Sequence, residues 1–289
     1  LAKAAAISSG ARPLAASAGG NVLAELLAKG RPLVMGVLNV TPDSFSDGGR
    51  FFEPAAAIEQ ARRLAAEGAD IIDIGAESTR PYGGALPVTA EEELQRLERI
   101  VPAVATIGVP VSVDTIKASV AAWALDAGAV IVNDVWGLQR DPDMARVVAG
   151  HGAPVVIMHN RKTADPALDI VADVSEFFSR SLEIAWEAGI AHDRIILDPG
   201  IGFGKTPEQS VMCIAHLHAW RGFDLPLLVG ASRKRFISSI VPSEPTERLG
   251  GSIAAHLVAV ENGAAIIRTH DVAPTVQSLA VAAAIRRAR

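Results

Sequence analysis

The sequence predicts an α/β protein built as a single (β/α)8 barrel. Eight short, β-branched apolar runs recur between residues 33 and 267, and Ala-, Leu-, Glu- and Arg-rich stretches with helical spacing separate most of them. Strands alternating with helices imply right-handed βαβ units and a parallel sheet. Eight such units in about 255 residues fit a closed barrel better than an open doubly wound sheet.

The first run, 33–38, reads Leu-Val-Met-Gly-Val-Leu. The runs at 71–74, 109–113, 130–132, 155–158, 195–197, 227–229 and 265–267 are likewise apolar at consecutive positions, the pattern of strands buried on both faces. Between the first two, 55–67 places Ile58, Ala61, Leu64 and Ala65 on one helical face, with Arg62, Arg63 and Glu67 elsewhere. The stretches 91–104, 118–127, 174–188, 208–220 and 248–262 behave similarly. Gly68, Gly128, Gly189 and Gly263 follow four of these stretches, where a helix end takes a left-handed residue. No composition break divides 32–289, which reads as one domain. Residues 1–31, rich in Ala, Ser and Gly, lack a charged start before a compact apolar stretch. They are expected to be a partly flexible N-terminal extension and not a signal peptide.

Composition narrows the function. The chain has 289 residues, 49% of them hydrophobic, enough for a large core. Its 27 basic and 32 acidic side chains leave a net charge of −5, with no global attraction to nucleic acid or anionic lipid. No apolar run reaches the roughly 18 to 20 residues that span a bilayer. One cysteine, Cys213, excludes an internal disulfide framework and a multi-cysteine zinc site. A single cysteine suits a reducing, cytoplasmic location. Cys213 falls inside a helical run and reads as a core residue. His216 and His218, two apart, make a poor metal pair on a helix. His151, His192 and His256 suggest only surface or capping roles.

A barrel of this kind carries its active site at the C-terminal ends of the strands. In order, the predicted runs lead to Asn39; to Asp73, Glu77, Ser78, Thr79 and Arg80; to Asp114; to Asn133 and Asp134; to His159; to Asp198; to Ser232, Arg233 and Lys234; and to Arg268 and His270. One polar strand end is as readily a cap as a ligand. Eight of eight, on a fold where these ends converge, make a functional cluster. Asp114, Asn133 and Asp198 suit a flat heterocycle edge with several N–H donors, since a carboxylate accepts two parallel bonds. Lys234, Arg268 and His270 suit a phosphate or diphosphate. Together they suggest an amine-bearing heterocycle with a phosphorylated arm. The run Gly200-Ile201-Gly202-Phe203-Gly204-Lys205 reads either as a phosphate loop or as a tight turn. No Walker A sequence or Gly-x-Ser-x-Gly elbow is present.

The run Val37-Leu38-Asn39-Val40-Thr41-Pro42-Asp43-Ser44-Phe45-Ser46-Asp47-Gly48-Gly49 closely resembles the dihydropteroate synthase family. Further matches follow in order: Asp73 to Pro81, Val113-Asp114-Thr115, Asn133-Asp134, Met158-His159, Asp198 to Lys205, Ser232-Arg233-Lys234 and Arg268-Thr269-His270. The resemblance runs from about Pro32 to the C-terminus. It implies an enzyme that joins 6-hydroxymethyl-7,8-dihydropterin diphosphate to p-aminobenzoate, releasing diphosphate and making 7,8-dihydropteroate for folate synthesis. By resemblance, Asp114, Asn133, Asp198 and Lys234 hold the pterin, and Arg268 and His270 the diphosphate. Asn39 binds the Mg2+ attached to the diphosphate, and Thr79 is a further substrate-binding position. Phe45, Pro81, Phe203 and Ser232 match the p-aminobenzoate side, with Ser232 expected at a helix N-terminus, a natural seat for a carboxylate. The catalytic set implied is Asp114, Lys234, Arg268 and His270. Loops 41–53 and 77–89 are expected to close over the site. The resemblance also implies a homodimer and sensitivity to sulfonamides.

Three departures from the family pattern stand out. Asn160-Arg161-Lys162-Thr163 replaces a Met-Gln-Gly-like stretch, Arg235 stands where a small Ser is usual, and Tyr82 where Gly is common. Two other readings compete. A methyltetrahydrofolate-dependent methyltransferase would share the Asp and Asn strand ends but would not need the 39–49 loop or Ser232-Arg233-Lys234. A non-catalytic pterin-binding paralogue should have lost loop or diphosphate residues, and Asn39, Lys234, Arg268 and His270 are all present.

Overall fold

In the computed structural model, which describes residues 20–41, 54–77 and 88–288, the predicted alternation of strands and helices closes on itself. The strands are β1 (Leu33–Asn39), β2 (Ile71–Gly75), β3 (Val111–Asp114), β4 (Ile131–Asp134), β5 (Val155–Met158), β6 (Ile195–Asp198), β7 (Leu227–Val229) and β8 (Ala264–Thr269). All pair in parallel in chain order, and β8 returns to β1. The fold is thus the expected (β/α)8 barrel, with one strand for each predicted run. The third run begins two residues late, at Val111. Pro110 has no N–H to donate and contributes only its carbonyl, which accepts from Ile72 N–H at 3.0 Å. Strands β3, β4 and β6 run on into their polar ends. Asp114, Asp134 and Asp198 are therefore held by ladder backbone rather than by loops.

Around the barrel lie α2 (Pro54–Ala66), α3 (Ala90–Leu97), α4 (Val101–Ala105), α5 (Ala118–Asp126), α6 (Met144–His151), α7 (Ile170–Glu187), α8 (Pro207–Ala215), α9 (Arg235–Ile240), α10 (Leu249–Glu261) and α11 (Val272–Arg287). The predicted helix 91–104 is two helices. Thr89 and Glu92 close a capping box at the start of α3, and Pro102 sits in the first turn of α4, where a missing N–H costs nothing. The predicted helix 208–220 stops at Ala215 and tightens into the 3-10 segment Leu217–Phe223. The sequence reading did not single out α6, α9 or α11, nor α1 (Val22–Leu27) ahead of the first strand.

Helix α1 begins at Asn21, whose side chain accepts from the N–H groups of Leu23 and Ala24. Leu23 and Leu26 are buried against Leu33, Met35, Ile71, Ile131, Val156, Ile196, Leu228 and Ile266, the inward side chains at the N-terminal end of the strands. Burying each leucine is worth about 1.5–3 kcal/mol. A second, larger cluster joins the outward strand residues to the helices and contains Cys213. Burial pushes the Cys213 thiol up to about 11, as befits a core residue. The floor of the barrel is apolar and plugged, so its polar groups collect at the opposite end. No described helix is long and apolar enough to cross a membrane.

His256 departs from its expected surface or capping role. It lies on α10, buried, with no hydrogen-bond partner for either ring nitrogen among the described residues. Burial depresses its pKa to about 4, with Asp271 opposing. The folded chain therefore binds fewer protons than the unfolded one between about pH 4 and 6.5, and this residue costs stability as pH falls through that window. His256→Leu is expected to stabilise the fold by about 1–3 kcal/mol at pH 7.5. Its lead over the wild type should widen at pH 5. Urea unfolding at the two pH values measures both, and an equal or smaller lead at pH 5 would contradict this account.

Candidate active site

Three of the predicted strand ends, Asn133, Arg268 and, through Arg268, Asp114, meet around a residue to which the sequence reading gave no role. Asp73, in the middle of β2, is completely buried, and a carboxylate there must be paired. Its Oδ2 accepts from Arg268 Nε of β8 at 2.6 Å and from Asn133 Nδ2 of β4 at 3.0 Å. Arg268 also donates through Nη2 to Asp114 Oδ2 of β3 at 2.8 Å. Burial works against the charge on Arg268, but Asp73 and Asp114 hold its pKa above the ordinary arginine value. Burial pushes Asp114 up to about 7; Arg268 opposes this, while Asp73, Glu93 and Asp134 add to it. The second oxygens of Asp73 and Asp114 are buried with no partner among the described residues. Asp114 Oδ1 is thus a desolvated acceptor waiting for a donor.

Beside this hub, Asn133, Val135, Met158, Asp198, Ile201, Phe203, Gly230, Lys234 and Arg268 line one pocket. Asp198 Oδ1 accepts from Gly200 N–H at 2.7 Å. Its pKa stands at about 6, raised by burial and restrained by that bond and by Lys234, Arg268 and Lys205. The Lys234 ammonium lies 4.0 Å from the centre of the Phe203 ring. The pocket therefore pairs a flat apolar wall with acceptors at one edge and cations at another.

The turn after β7 sorts three consecutive polar residues by direction. Arg233 has a left-handed backbone, φ 58°. Its guanidinium takes both Asp271 oxygens and its carbonyl accepts from Arg248, so it belongs to the scaffold. Ser232 Oγ accepts the His270 backbone N–H at 3.2 Å and lies 3.1 Å from His270 Nδ1. When the hydroxyl donates to Nδ1, the ring proton sits on Nε2, the arrangement that presents an N–H to a ligand. Burial and the neighbouring Arg268, Arg233 and Lys234 depress His270 to about 3. His270 is thus neutral, and Lys234 and Arg268 carry the positive charge beside it. Ser232 also lies off its expected place. It sits two residues before Lys234, the cap residue of α9, and is bonded to His270 instead of capping that helix.

The described residues thus bring Asp114, Asn133, Asp198, Phe203, Lys234 and Arg268 together, with Ser232 and His270 at the adjoining turn. Asn39 ends β1, paired in register with Gly75, which in turn pairs with Asp114. Phe45, Thr79 and Pro81, and most of the two expected closing loops, lie outside the described residues. Like Arg233, the predicted strand-end groups Asp134 and Glu77 are structural. Asp134 accepts from Trp136 and Leu138 N–H and shapes the loop after β4, and Glu77 is ion-paired with Lys117 at 2.6 Å. Besides leaving Asp73 without a role, the reading missed Val135, Met158, Ile201 and Gly230 as pocket lining. A charged residue inside the run Ile71-Ile72-Asp73-Ile74 was the available signal.

A closed barrel with acceptors and cations converging at the C-terminal ends of its strands is the architecture of a (β/α)8-barrel enzyme, and its class is that of the pterin-binding enzymes. The family model described as pterin binding enzyme matches residues 35–270. A dihydropteroate synthase of Bacillus subtilis is 45% identical over 245 residues, which span 84% of this chain and 85% of the relative. Two solved structures are similar throughout. A Clostridium difficile dihydropteroate synthase, solved in the presence of pteroic acid, has a TM-score of 0.85 and 42% identity, covering 89% of this chain and 97% of that one. A Xanthomonas albilineans dihydropteroate synthase with 4-aminobenzoic acid has a TM-score of 0.84 and 45% identity, covering 89% and 93%. The chain belongs to the pterin-binding enzymes and, within them, to the dihydropteroate synthase family.

Proposed function

We propose that the barrel mouth joins 6-hydroxymethyl-7,8-dihydropterin diphosphate to p-aminobenzoate, giving 7,8-dihydropteroate and diphosphate. The observation that carries this reading is the pocket in which Asn133 and Asp198 share a space with Lys234 and with Arg268, which is itself bonded to Asp114. Asp198 and the orphaned Asp114 oxygen accept pterin N–H groups, with Asn133 and Lys234 completing the edge. Phe203 supplies an apolar wall. Arg268 and the Nε2–H of His270 receive the diphosphate.

As the C–O bond to the diphosphate breaks, positive charge grows on the pterin methylene carbon. Asp114 and Asp198, already desolvated, stabilise that charge. Arg268, Lys234 and His270 stabilise the anion that leaves. The uncharged aniline nitrogen of p-aminobenzoate then attacks the carbon and loses its proton. Phe203 and Ser232, with Phe45 and Pro81 from the two loops and Thr79 as a further contact, make up the remaining substrate side. Arg235, the first residue of α9, adds a charge that suits the p-aminobenzoate carboxylate.

Mg2+ fits this arrangement through Asn39. Among the described residues no group of three or more His, Cys, Asp or Glu could cage a metal. Mg2+ needs none, because it keeps waters and takes one or two protein oxygens beside substrate phosphates. When bound, it would neutralise part of the leaving group's charge.

The decisive assay supplies both substrates and Mg2+ and follows diphosphate and dihydropteroate. Product that requires both substrates and disappears with EDTA supports the reading, whereas pterin binding without product would favour a non-catalytic role. A pH dependence also follows. Binding to N–H donors needs Asp114 and Asp198 ionised, so pterin affinity should rise from pH 5 and level off above about pH 7. A pH-independent dissociation constant would contradict the assigned roles.

A homodimer accords with the exposed Val211 and Met212 of α8, Ile240 and Val241 at the end of α9, and Leu249 and Val258 of α10. Light scattering coupled to gel filtration tests it. Sulfonamide inhibition competitive with p-aminobenzoate, and a cytoplasmic location, complete the reading.

A further inference from the structure

We propose that Lys205 is a positioning residue, pinned by a buried His159–Asp173 relay, that fixes the loop 200–204 beneath the pterin and thereby places Asp198 and Phe203. The proposal rests on the pterin reading of the pocket and concerns residues to which that reading assigns no part. A lysine closing a glycine-rich run would ordinarily be read as a phosphate ligand. Here it is turned inward. Lys205 is 2% exposed, its Nζ donating to His159 Nδ1 at 2.6 Å and to the Phe203 carbonyl at 3.2 Å.

The relay has one consistent proton arrangement. His159 Nδ1 accepts from Lys205, so Nε2 carries the ring proton and donates to Asp173 Oδ2 at 2.8 Å. The other Asp173 oxygen accepts from Arg161 Nη1 at 2.7 Å. Charges therefore alternate from Arg161 through Asp173 and a neutral His159 to Lys205. The His159 ring is held edge-on to Phe177, with centroids 4.9 Å apart. Burial, with Lys205 next in effect, keeps His159 neutral, its pKa lowered to about 3.

The backbone makes the same link independently. His159 N–H donates to the Asp198 carbonyl at 2.8 Å. Gly200 and Gly204 both have left-handed backbones. A Cβ at Gly200 would lie 1.9 Å from the His159 carbonyl oxygen, and one at Gly204 would lie 2.4 Å from that of Arg161. The loop is thus pressed onto residues 159–161, and Lys205 bolts the two segments together. The glycine run is the tight turn, not the phosphate loop. The departure at Asn160-Arg161 belongs to the same support. Asn160 Nδ2 donates to the Val135 carbonyl, so the segment also steadies the loop after β4.

Lys205 acts on Asp198 by charge as well as by position. The groups facing Asp198 are the Gly200 N–H, Lys234 from the turn after β7, Arg268 from β8, and Lys205. Those facing Lys205 are Cys213 from α8, Asp198, Asp173 and Arg161, besides His159. Removing the ammonium leaves Asp198 harder to ionise.

The test measures dihydropterin diphosphate binding, without p-aminobenzoate, from pH 5 to 8. Lys205→Met is expected to weaken binding about tenfold at pH 7.5 and to move the pH of half-maximal affinity upward by about half a unit. Asp173→Asn, which removes only the far charge, should weaken binding about threefold. A folded Lys205→Met variant with wild-type affinity overturns the proposal. So does an equal loss at every pH with no shift of the midpoint, since a merely structural lysine would give that. If Lys205→Met does not fold, Asp173→Asn decides, and an unchanged dissociation constant there overturns it. A wild type that binds no dihydropterin diphosphate overturns the pterin reading itself, and the proposal with it; otherwise only the ratio of variant to wild type bears on Lys205.

Discussion

Asp114→Asn is expected to lower kcat/KM for the dihydropterin diphosphate by about a thousandfold while leaving the barrel folded. The substitution removes the charge that pairs with Arg268 Nη2 at 2.8 Å. It also allows an amide N–H to face the ligand where a buried, unpartnered oxygen stood. Loss of a desolvated charged acceptor costs about 2–5 kcal/mol, and 4 kcal/mol is about a thousandfold. Because the charge serves the developing carbocation, the loss should appear in kcat as well as in KM. Steady-state kinetics with a circular dichroism control measures this. A loss confined to KM would mean that Asp114 only binds.

Asp73→Ala is expected to damage stability and activity together. Asp73 is the shared acceptor for Arg268 and Asn133, at the centre of the barrel mouth and fully buried. Removing one partner of a buried pair leaves the other charge uncompensated, at about 3–5 kcal/mol. For a domain of this size that lowers Tm by roughly 10 °C. Arg268 would retain Asp114 alone and lose its orientation toward the diphosphate, so kcat/KM should also fall by about a hundredfold or more. A Tm within about 2 °C of the wild type would mean that water or a shifted side chain replaces Asp73, and the hub would not be the organiser described here.

The two variants test different depths of the site, and those depths were unequally legible in the sequence. Asp114, Asn133, Asp198, Lys234 and Arg268 could be found because each follows an apolar run and the barrel brings strand ends together. Asp73 was visible as a charge inside such a run, but its pairing was not. Arg268 lies 195 residues away in the chain. Lys205 was misleading for the same reason: a glycine-rich approach favours a phosphate ligand, and only the pressure of Gly200 and Gly204 against residues 159–161 turns the side chain inward. His270 was grouped with Lys234 and Arg268 as suited to a phosphate, but its charge state was not legible: burial beside Arg268, Arg233 and Lys234 leaves it neutral. His256 carried no local sign that α10 turns it into the interior.

The sequence by itself determined the eight strands, their order, and the kinds of groups at their ends. Strands buried on both faces must be continuously apolar, and a polar residue that ends such a run declares itself. Tertiary structure alone decided which carboxylate meets which cation, which histidines stay neutral, and which lysine lines the pocket. Those outcomes depend on desolvation and on partners brought together by barrel closure, as when Asp73, Asn133 and Arg268 meet from β2, β4 and β8. Neither quantity is a property of a local stretch of chain.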